Sequence, residues 1–262
     1  MRKPILTLTT DFGLSDHYVG TMKGVILGIC PQAQIVDISH EVRPFEIPEG
    51  AYLIAQAWRY FPPKTVHVVV VDPGVGTSRR PILLEAGGQY FVAPDNGVLS
   101  MVYSREKHKV RLVSADRYFL KPVSHTFHGR DIFAPVAAHV AAGVAPSRMG
   151  KPIQDYLRPM FEKPQRIGKR TWAGRILKTD RFGNLITNFH IGDFPDVERK
   201  NFYMEIGLRQ IGALARSYTE FGPGEPFVIV GSSGYLEVSV SQGSAARTLG
   251  CETGAAAELS VW

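Results

Sequence analysis

Three loop segments of the sequence carry side chains suited to gripping a small polar molecule. The first is Val71-Asp72-Pro73-Gly74-Val75-Gly76-Thr77-Ser78-Arg79-Arg80, which sets an acid and an arginine seven residues apart. Asp72 and Arg79 at that spacing can pair across the loop and hold a small polar species. Gly74 and Gly76 let the backbone approach a ligand closely or take φ > 0. The same residues equally suit a plain turn with a surface salt bridge. The second segment, Thr126-Phe127-His128-Gly129-Arg130-Asp131-Ile132-Phe133-Ala134-Pro135, delivers His128 from a loop into a helix start. A lone histidine there serves either as a structural hydrogen-bonder or as a catalyst, with Arg130 and Asp131 bracing the loop against each other. The third is Thr9-Thr10-Asp11-Phe12-Gly13. Asp11 can accept hydrogen bonds from a sugar diol, as acidic residues do in dinucleotide folds, or it can cap the next helix. His40 and His125 read as structural.

These loops need elements to position them. Residues 5–10 form a short apolar, β-branched run that stops at Asp11, and 18–29 has helical spacing with Met22, Val25, Ile26 and Ile29 on one face. Residues 34–38 read as a strand, and 49–61 as a helix stopped by Pro62-Pro63. The continuous apolar run 66–71 is the kind of strand buried on both faces of a parallel sheet. Residues 81–85 and 89–93 suggest a hairpin across Gly87-Gly88, and 132–144 an Ala-rich helix. This alternation predicts a layered α/β domain over residues 1–165. Pro159, Pro164 and the basic stretch 163–170 look like a linker. Beyond it, short strand-like runs at 171–179, 185–189, 202–206, 226–230, 235–240 and 257–261 predict an all-β barrel domain over 166–262.

Several chemistries are excluded. The sequence has no GxSxG elbow, no Gly-Lys-Ser/Thr phosphate loop and no HExxH pair. Its two cysteines, Cys30 and Cys251, lie outside any CxxC spacing, give no disulfide framework or zinc site, and read as small buried residues in a reducing cytoplasm. The net charge of +6 is densest at Arg105-Glu106-Lys107-His108-Lys109-Val110-Arg111. Without aromatic interleaving that run reads as a solvated loop, not a nucleic-acid surface. No stretch approaches the roughly 20 apolar residues of a membrane span, and the N-terminal apolar run is too short for a signal peptide.

Seven segments in order carry a resemblance over nearly the whole chain. They are Thr10-Asp11-Phe12-Gly13, Asp37-Ile38-Ser39-His40, Val71-Asp72-Pro73-Gly74-Val75-Gly76, Pro94-Asp95-Asn96-Gly97, Thr126-Phe127-His128-Gly129-Arg130-Asp131, Asp180-Arg181-Phe182-Gly183-Asn184 and Ser232-Ser233-Gly234-Tyr235-Leu236-Glu237. Together they resemble the S-adenosylmethionine hydroxide adenosyltransferases, the adenosine-forming hydrolases that are sisters of the fluorinase and chlorinase. The resemblance implies an α/β domain followed by a β-barrel, assembled as a homotrimer with S-adenosylmethionine bound between subunits. It implies a water-handling set that maps to Asp72, Arg79 and His128, with Arg80 adjacent to Arg79. It implies ligand contacts at Asp11, Phe45, Phe127, Asp180, Phe182, Asn184, Ser232 and Glu237, and purine stacking at Tyr218. The halogenases carry tyrosine where Asp72 stands, so hydrolysis to adenosine and L-methionine is expected over halide transfer or a non-catalytic sensor. No metal or cofactor is implied, because the sulfonium electrophile already bears its positive charge.

Overall fold

The computed structural model describes residues 3–161 and 163–262. The chain divides into two compact units, Met1–Pro159 and Met160–Trp262.

In the first unit, strands β1 (Ile5–Thr10), β2 (Gln34–Ser39), β3 (Val66–Val70), β4 (Pro81–Ala86), β5 (Gln89–Pro94), β6 (His108–Leu112) and β7 (Pro152–Ile153) form one sheet in the order β2-β1-β3-β5-β4-β6-β7. β1 is parallel to β2 and β3, and β3 to β5, whereas β4, β6 and β7 are joined by antiparallel ladders. The sheet is therefore mixed. Its helices are α1 (Tyr18–Ile29), α2 (Ile47–Ala57), α3 (Ser100–Tyr103) and α4 (Ala134–Ala141). Val66, Val68 and Val70 join the cluster that holds Met22, Ile26 and Ala137, while Val69 and Val71 join the cluster that holds Ile54 and Val102. The 66–71 run is thus buried on both faces, with α1 and α4 over one and α2 and α3 over the other.

Some expectations need correction. The basic run 105–111 is not a solvated loop: its second half is β6, where Val110 and Arg111 are buried and Arg111 Nε donates to Glu85 Oε1 at 2.8 Å. The ladder with β4 and the Arg111–Glu85 ion pair hold this charged stretch in the sheet. The helix expected from residue 132 begins earlier, as a π-turn at Gly129–Phe133 that leads into α4. Cys30 is buried, but Cys251 is only half-buried. Part of the expected linker, β8 (Gln165–Arg166), pairs with a strand of the second unit.

The second unit carries β9 (Thr171–Thr179), β10 (Leu185–His190), β11 (Phe202–Ile206), β12 (Arg209–Ile211), β13 (Leu214–Ala215), β14 (Pro226–Val230), β15 (Tyr235–Val240) and β16 (Ala256–Val261). They order as β12-β11-β16-β9-β10-β15-β14-β13, with β8 on β9. The path is open at both ends, where β12 and β13 have three and two residues, and barrel closure is not among its ladders. Nor is the unit wholly β: α5 (Ala245–Leu249) is capped by Ser244, whose hydroxyl accepts from Arg247 N, and ends on the left-handed Gly250. Its core gathers Phe189, Phe202, Met204, Leu236 and Leu259.

Candidate active site

β1 connects to β2 on one side of the sheet, and β2 crosses back to β3 on the other. The gap beyond the carboxyl ends of β1 and β3 is therefore a topological switch point, where open α/β sheets place ligands. Thr10 pairs with Val70 in register, so Asp11 and Asp72 leave the sheet side by side. Burial pushes the carboxyl of each above the usual range, and the charge of Asp72 adds to the shift at Asp11. Asp11 Oδ2 accepts from Phe45 N at 3.0 Å, and Phe45 is exposed with φ of 71°. A non-glycine residue at positive φ is a strained conformation that clusters at ligand sites.

The Asp72 loop closes on itself. Val75 N donates to Asp72 O at 3.2 Å, and Thr77 Oγ1 to Gly74 O at 2.7 Å. Arg79 is thereby brought back over Asp72: its Nε donates to Asp72 Oδ1 at 3.0 Å, and its Nη2 donates to Asp72 Oδ2. Nη2 also lies 3.0 Å from His128 Nδ1, and the guanidinium sits over the Phe133 ring, 5.2 Å from its centroid. Gly76 explains how the two loops meet. It has φ of 78°, and a Cβ there would fall 2.2 Å from His125 O, so only glycine lets the loop carrying Asp72 lie against the loop carrying His128.

Arginine has donors only, so His128 Nδ1 must be the acceptor of the Arg79 bond. The imidazole is therefore neutral, with its proton on Nε2. Burial, and then the charge of Arg79, lower its pKa below the usual 6.5, in agreement with that tautomer. Arg79 Nη1 is buried and has no hydrogen-bond partner. The structure thus holds Asp72, Arg79 and His128 in one hydrogen-bonded chain and leaves one guanidinium N–H pair unsatisfied. Arg80 is directed elsewhere: Nη2 donates to Asp95 Oδ2 at 2.7 Å and Nη1 to Asp155 Oδ2 at 2.9 Å.

The remaining N-terminal candidates take structural positions around this chain. Phe127 is buried among Phe12 and Tyr18, with ring centroids 6.0 and 5.1 Å away. Arg130 Nε donates to the fully buried Asp131 Oδ1 at 2.6 Å, and Asp131 Oδ2 accepts from Ser124 N at 2.8 Å, so the brace expected at the His128 loop is present. His40 bonds Thr10 through Nδ1 at 2.8 Å and lies 3.1 Å from Asp37 through Nε2.

In the second unit, Asp180 organises its turn by accepting from Phe182 N and Asn184 N at 2.9 Å and from Asn184 Nδ2 at 2.8 Å. Phe182 is left 77% exposed, a large apolar ring held out to solvent by a rigid turn. Glu237 is buried beneath Gly231, and Tyr218 hydroxyl donates to it at 3.4 Å. Burial, with the charge of Asp180 second, pushes the Glu237 carboxyl up to about 7. Ser232 is exposed in the turn between β14 and β15.

Sequence reasoning missed three participants: Phe133 beneath Arg79, the Asp95 acceptor of Arg80, and Asn96, whose Nδ2 donates to Val71 O at 2.8 Å. The Asp-Asn-Gly run directly after a strand was the available signal.

A cavity of about 720 Å³ in the first unit, among Gln32, Lys64, Tyr90 and residues 140–146, is lined by no carboxylate or imidazole. One of about 870 Å³ in the second unit, among Phe202, Arg216 and Trp262, has Glu198 as its single carboxylate. Neither touches the Asp72 cluster, and converging polar groups mark a site better than volume alone. Among the described residues, no group of three or more His, Cys, Asp and Glu side chains is placed to hold a metal ion, and no helix is long and apolar enough to cross a membrane.

A mixed α/β unit with an acid–arginine–histidine chain at its switch point, followed by a β-rich unit, defines the class. Residues 6–150 match the SAM hydroxide adenosyltransferase N-terminal domain and 174–258 match its C-terminal domain. The chain belongs to the SAM hydroxide adenosyltransferase family. It is 36% identical to an (R)-S-adenosyl-L-methionine hydrolase of Methanocaldococcus jannaschii, over 94% of this chain and 91% of that one. A protein of the same description from Thermus thermophilus is 35% identical, over 96% and 97%. A fluorinase of Actinoplanes sp. is 29% identical over 90% of each. A crystal structure of an uncharacterized conserved protein from Thermotoga maritima superposes with a TM-score of 0.88 at 38% identity, covering 98% of this chain and 99% of that one.

Proposed function

We propose that the protein hydrolyses S-adenosyl-L-methionine to adenosine and L-methionine, with a water molecule held by Asp72, Arg79 and His128 attacking ribose C5′ opposite sulfur. The observation that carries this reading is Arg79 Nη1, a buried donor without an acceptor beside an ion-paired carboxylate and a neutral imidazole. A buried unsatisfied N–H costs about 1–3 kcal/mol, which a water oxygen bound there offsets. The water then donates to Asp72, with His128 fixed beside the guanidinium by the bond of its Nδ1 to Arg79. With Nδ1 engaged by Arg79, the imidazole does not take the proton.

In the chemical step the water oxygen forms a bond to C5′ as the C5′–S bond breaks. The electron pair goes to sulfur and neutralises the sulfonium. The water proton passes to Asp72 and on to solvent. Asp11 receives the ribose diol, with Phe45 and Phe127 alongside. The methionine and adenine ends go to Asp180, Phe182, Asn184, Ser232 and Glu237 as contributed by a neighbouring subunit. The enzyme acts as a cytoplasmic homotrimer and uses no cofactor. Fixing the nucleophile in line and expelling bulk water supply several kcal/mol of the acceleration.

The test is incubation with each sulfonium epimer of S-adenosylmethionine in ¹⁸O-water, followed by chromatography and mass spectrometry. Adenosine carrying ¹⁸O at the 5′-hydroxyl is expected, and Asp72→Ala should lower kcat by about 10²-fold or more. Absence of adenosine, a 5′-halo product in chloride or fluoride buffer, or full turnover by Asp72→Ala would each overturn the proposal.

A further inference from the structure

We infer that the consecutive residues Asp95 and Asn96 are positioning residues that clamp the two ends of the loop bearing Asp72 and Arg79. The inference rests on the hydrolase reading above and gives a role to the Pro94-Asp95-Asn96-Gly97 segment, which touches none of the reacting groups.

The loop leaves the sheet after β3 and rejoins it at β4. At the exit, Asn96 Nδ2 donates to Val71 O at 2.8 Å, while its Oδ1 accepts from Val98 N at 3.1 Å. Both ends of the carboxamide are engaged, so its orientation is fixed and Val71, the residue before Asp72, is held. Helix α2 closes the other side: a Cβ on Gly50 would lie 2.9 Å from Val71 Cγ2. At re-entry, Asp95 Oδ2 accepts from Arg80 Nε at 3.1 Å and Nη2 at 2.7 Å, and Asp95 N donates to Arg80 O at 2.8 Å. Asp95 Oδ1 accepts from Leu157 N at 2.9 Å, and the Asp95 side chain is 4% exposed. Arg80, the residue after Arg79, is therefore tied through side chain and backbone to the same short segment that ties Val71.

Between these anchors lie Gly74 and Gly76, the least restricted backbone positions of the loop. Its internal bonds, such as Thr77 Oγ1 to Gly74 O, hold the turn locally but do not fix where it sits on the sheet. The spacing of Asp72 and Arg79 relative to the sheet is set by the two anchors. A misplacement of about 1 Å at such a site costs about 10²-fold in rate.

The test compares wild type with Asn96→Asp, which puts a carboxylate oxygen against Val71 O, and Asp95→Asn, which keeps shape but removes the charge facing Arg80. For each, kcat, KM, melting temperature and the NMR titration of His128 are measured. Folded variants are expected to lose about 10- to 100-fold in kcat with KM within about threefold of wild type. The His128 titration should rise toward its usual range as Arg79 loosens from Nδ1, with Asp72 and Asp131 its other charged neighbours. A kcat within about twofold of wild type in folded protein, or an unmoved His128 titration, would overturn the clamp. Should Asn96→Asp fail to fold, Asn96→Ser reads the same anchor. A wild-type protein that makes no adenosine would refute the hydrolase reading, whereas the His128 titration would still report on the clamp.

Discussion

Replacing Arg79 by methionine keeps an unbranched side chain over Phe133 but removes the guanidinium from between Asp72 and His128. The Arg79 and Asp72 side chains are 7% and 4% exposed. Deleting one partner of a buried pair costs about 3–5 kcal/mol, because the other charge is stranded. At about 2–4 °C per kcal/mol, the melting temperature should fall by about 6–20 °C. The pH dependence makes the prediction specific. Burial already raises the Asp72 carboxyl, and Arg79 is the leading influence holding it down. Without Arg79 the native carboxyl binds its proton more tightly still, while the unfolded one is unchanged. Such a group favours the native state below its unfolded pKa, and that advantage is lost as pH rises through the raised native value. The deficit of Arg79→Met should therefore be smaller at pH 5 than at pH 8, with kcat down about 10²-fold or more at either. Calorimetry at the two pH values, with adenosine release measured alongside, provides the check. A deficit equal at both, or greater at pH 5, would refute the argument that Asp72 is a buried carboxylate held ionised by Arg79.

Gly76→Ala should lower the melting temperature and kcat together, because its Cβ would stand 2.2 Å from His125 O at φ of 78°, a cost of about 1–3 kcal/mol. Gly74→Ala, whose Cβ meets nothing nearer than Thr77 Oγ1 at 3.5 Å, is the tolerated control, and equal behaviour of the two would contradict the loop contact. Glu237, raised from 4.5 to about 7, gives the second unit an advantage that is full below pH 4.5 and lost as pH rises through 7, worth about 3 kcal/mol. Glu237→Gln should therefore stabilise that unit at pH 8 but not at pH 4.5, as read from urea midpoints. His67 has the opposite sign: fully buried between Thr7 Oγ1 at 2.7 Å and Gln89 Oε1 at 2.6 Å, its pKa is lowered from 6.5 to about 4. The first unit should lose about 3 kcal/mol as pH falls from 6.5 to 4, and an NMR titration of His67 near 6.5 would disprove it.

The legible parts of the fold were those that local pattern alone decides. The all-apolar 66–71 run is buried on both faces, as its composition requires. Asp72 and Arg79 pair, because a glycine-containing loop between an acid and an arginine has few better uses for either. What could not be read depends on distant partners. The choice of Arg79 over Arg80 for Asp72 is decided by Asp95 and Asp155, which take Arg80, the latter 75 residues along the chain. The tautomer of His128 follows from an arginine 49 residues away. The basic run misled because the burial of Arg111 depends on Glu85, a partner 26 residues away. The β-rich second unit was legible as strands, but strand pattern carries no information about whether a ladder closes on itself.

The three-residue chain also bears on the choice of nucleophile. Asp72 and Arg79 form a nearly neutral pair, so the site offers one acceptor and one unpaired donor, Nη1, in place of a net positive field. A halide in contact with Nη1 would also face the carboxylate. At about 4 Å and an effective dielectric near 20, that repulsion is worth about 4 kcal/mol, roughly a 10³-fold penalty, and it cancels the attraction of the guanidinium. Water suffers no such cancellation, because it accepts from Arg79 with its oxygen and donates to Asp72 with a proton. The same pair that fails to concentrate an anion therefore selects a small neutral molecule that both gives and takes hydrogen bonds. On the mechanism proposed above, proton transfer to Asp72 generates the hydroxide charge only as the oxygen bonds to C5′ and the sulfonium takes up the electron pair.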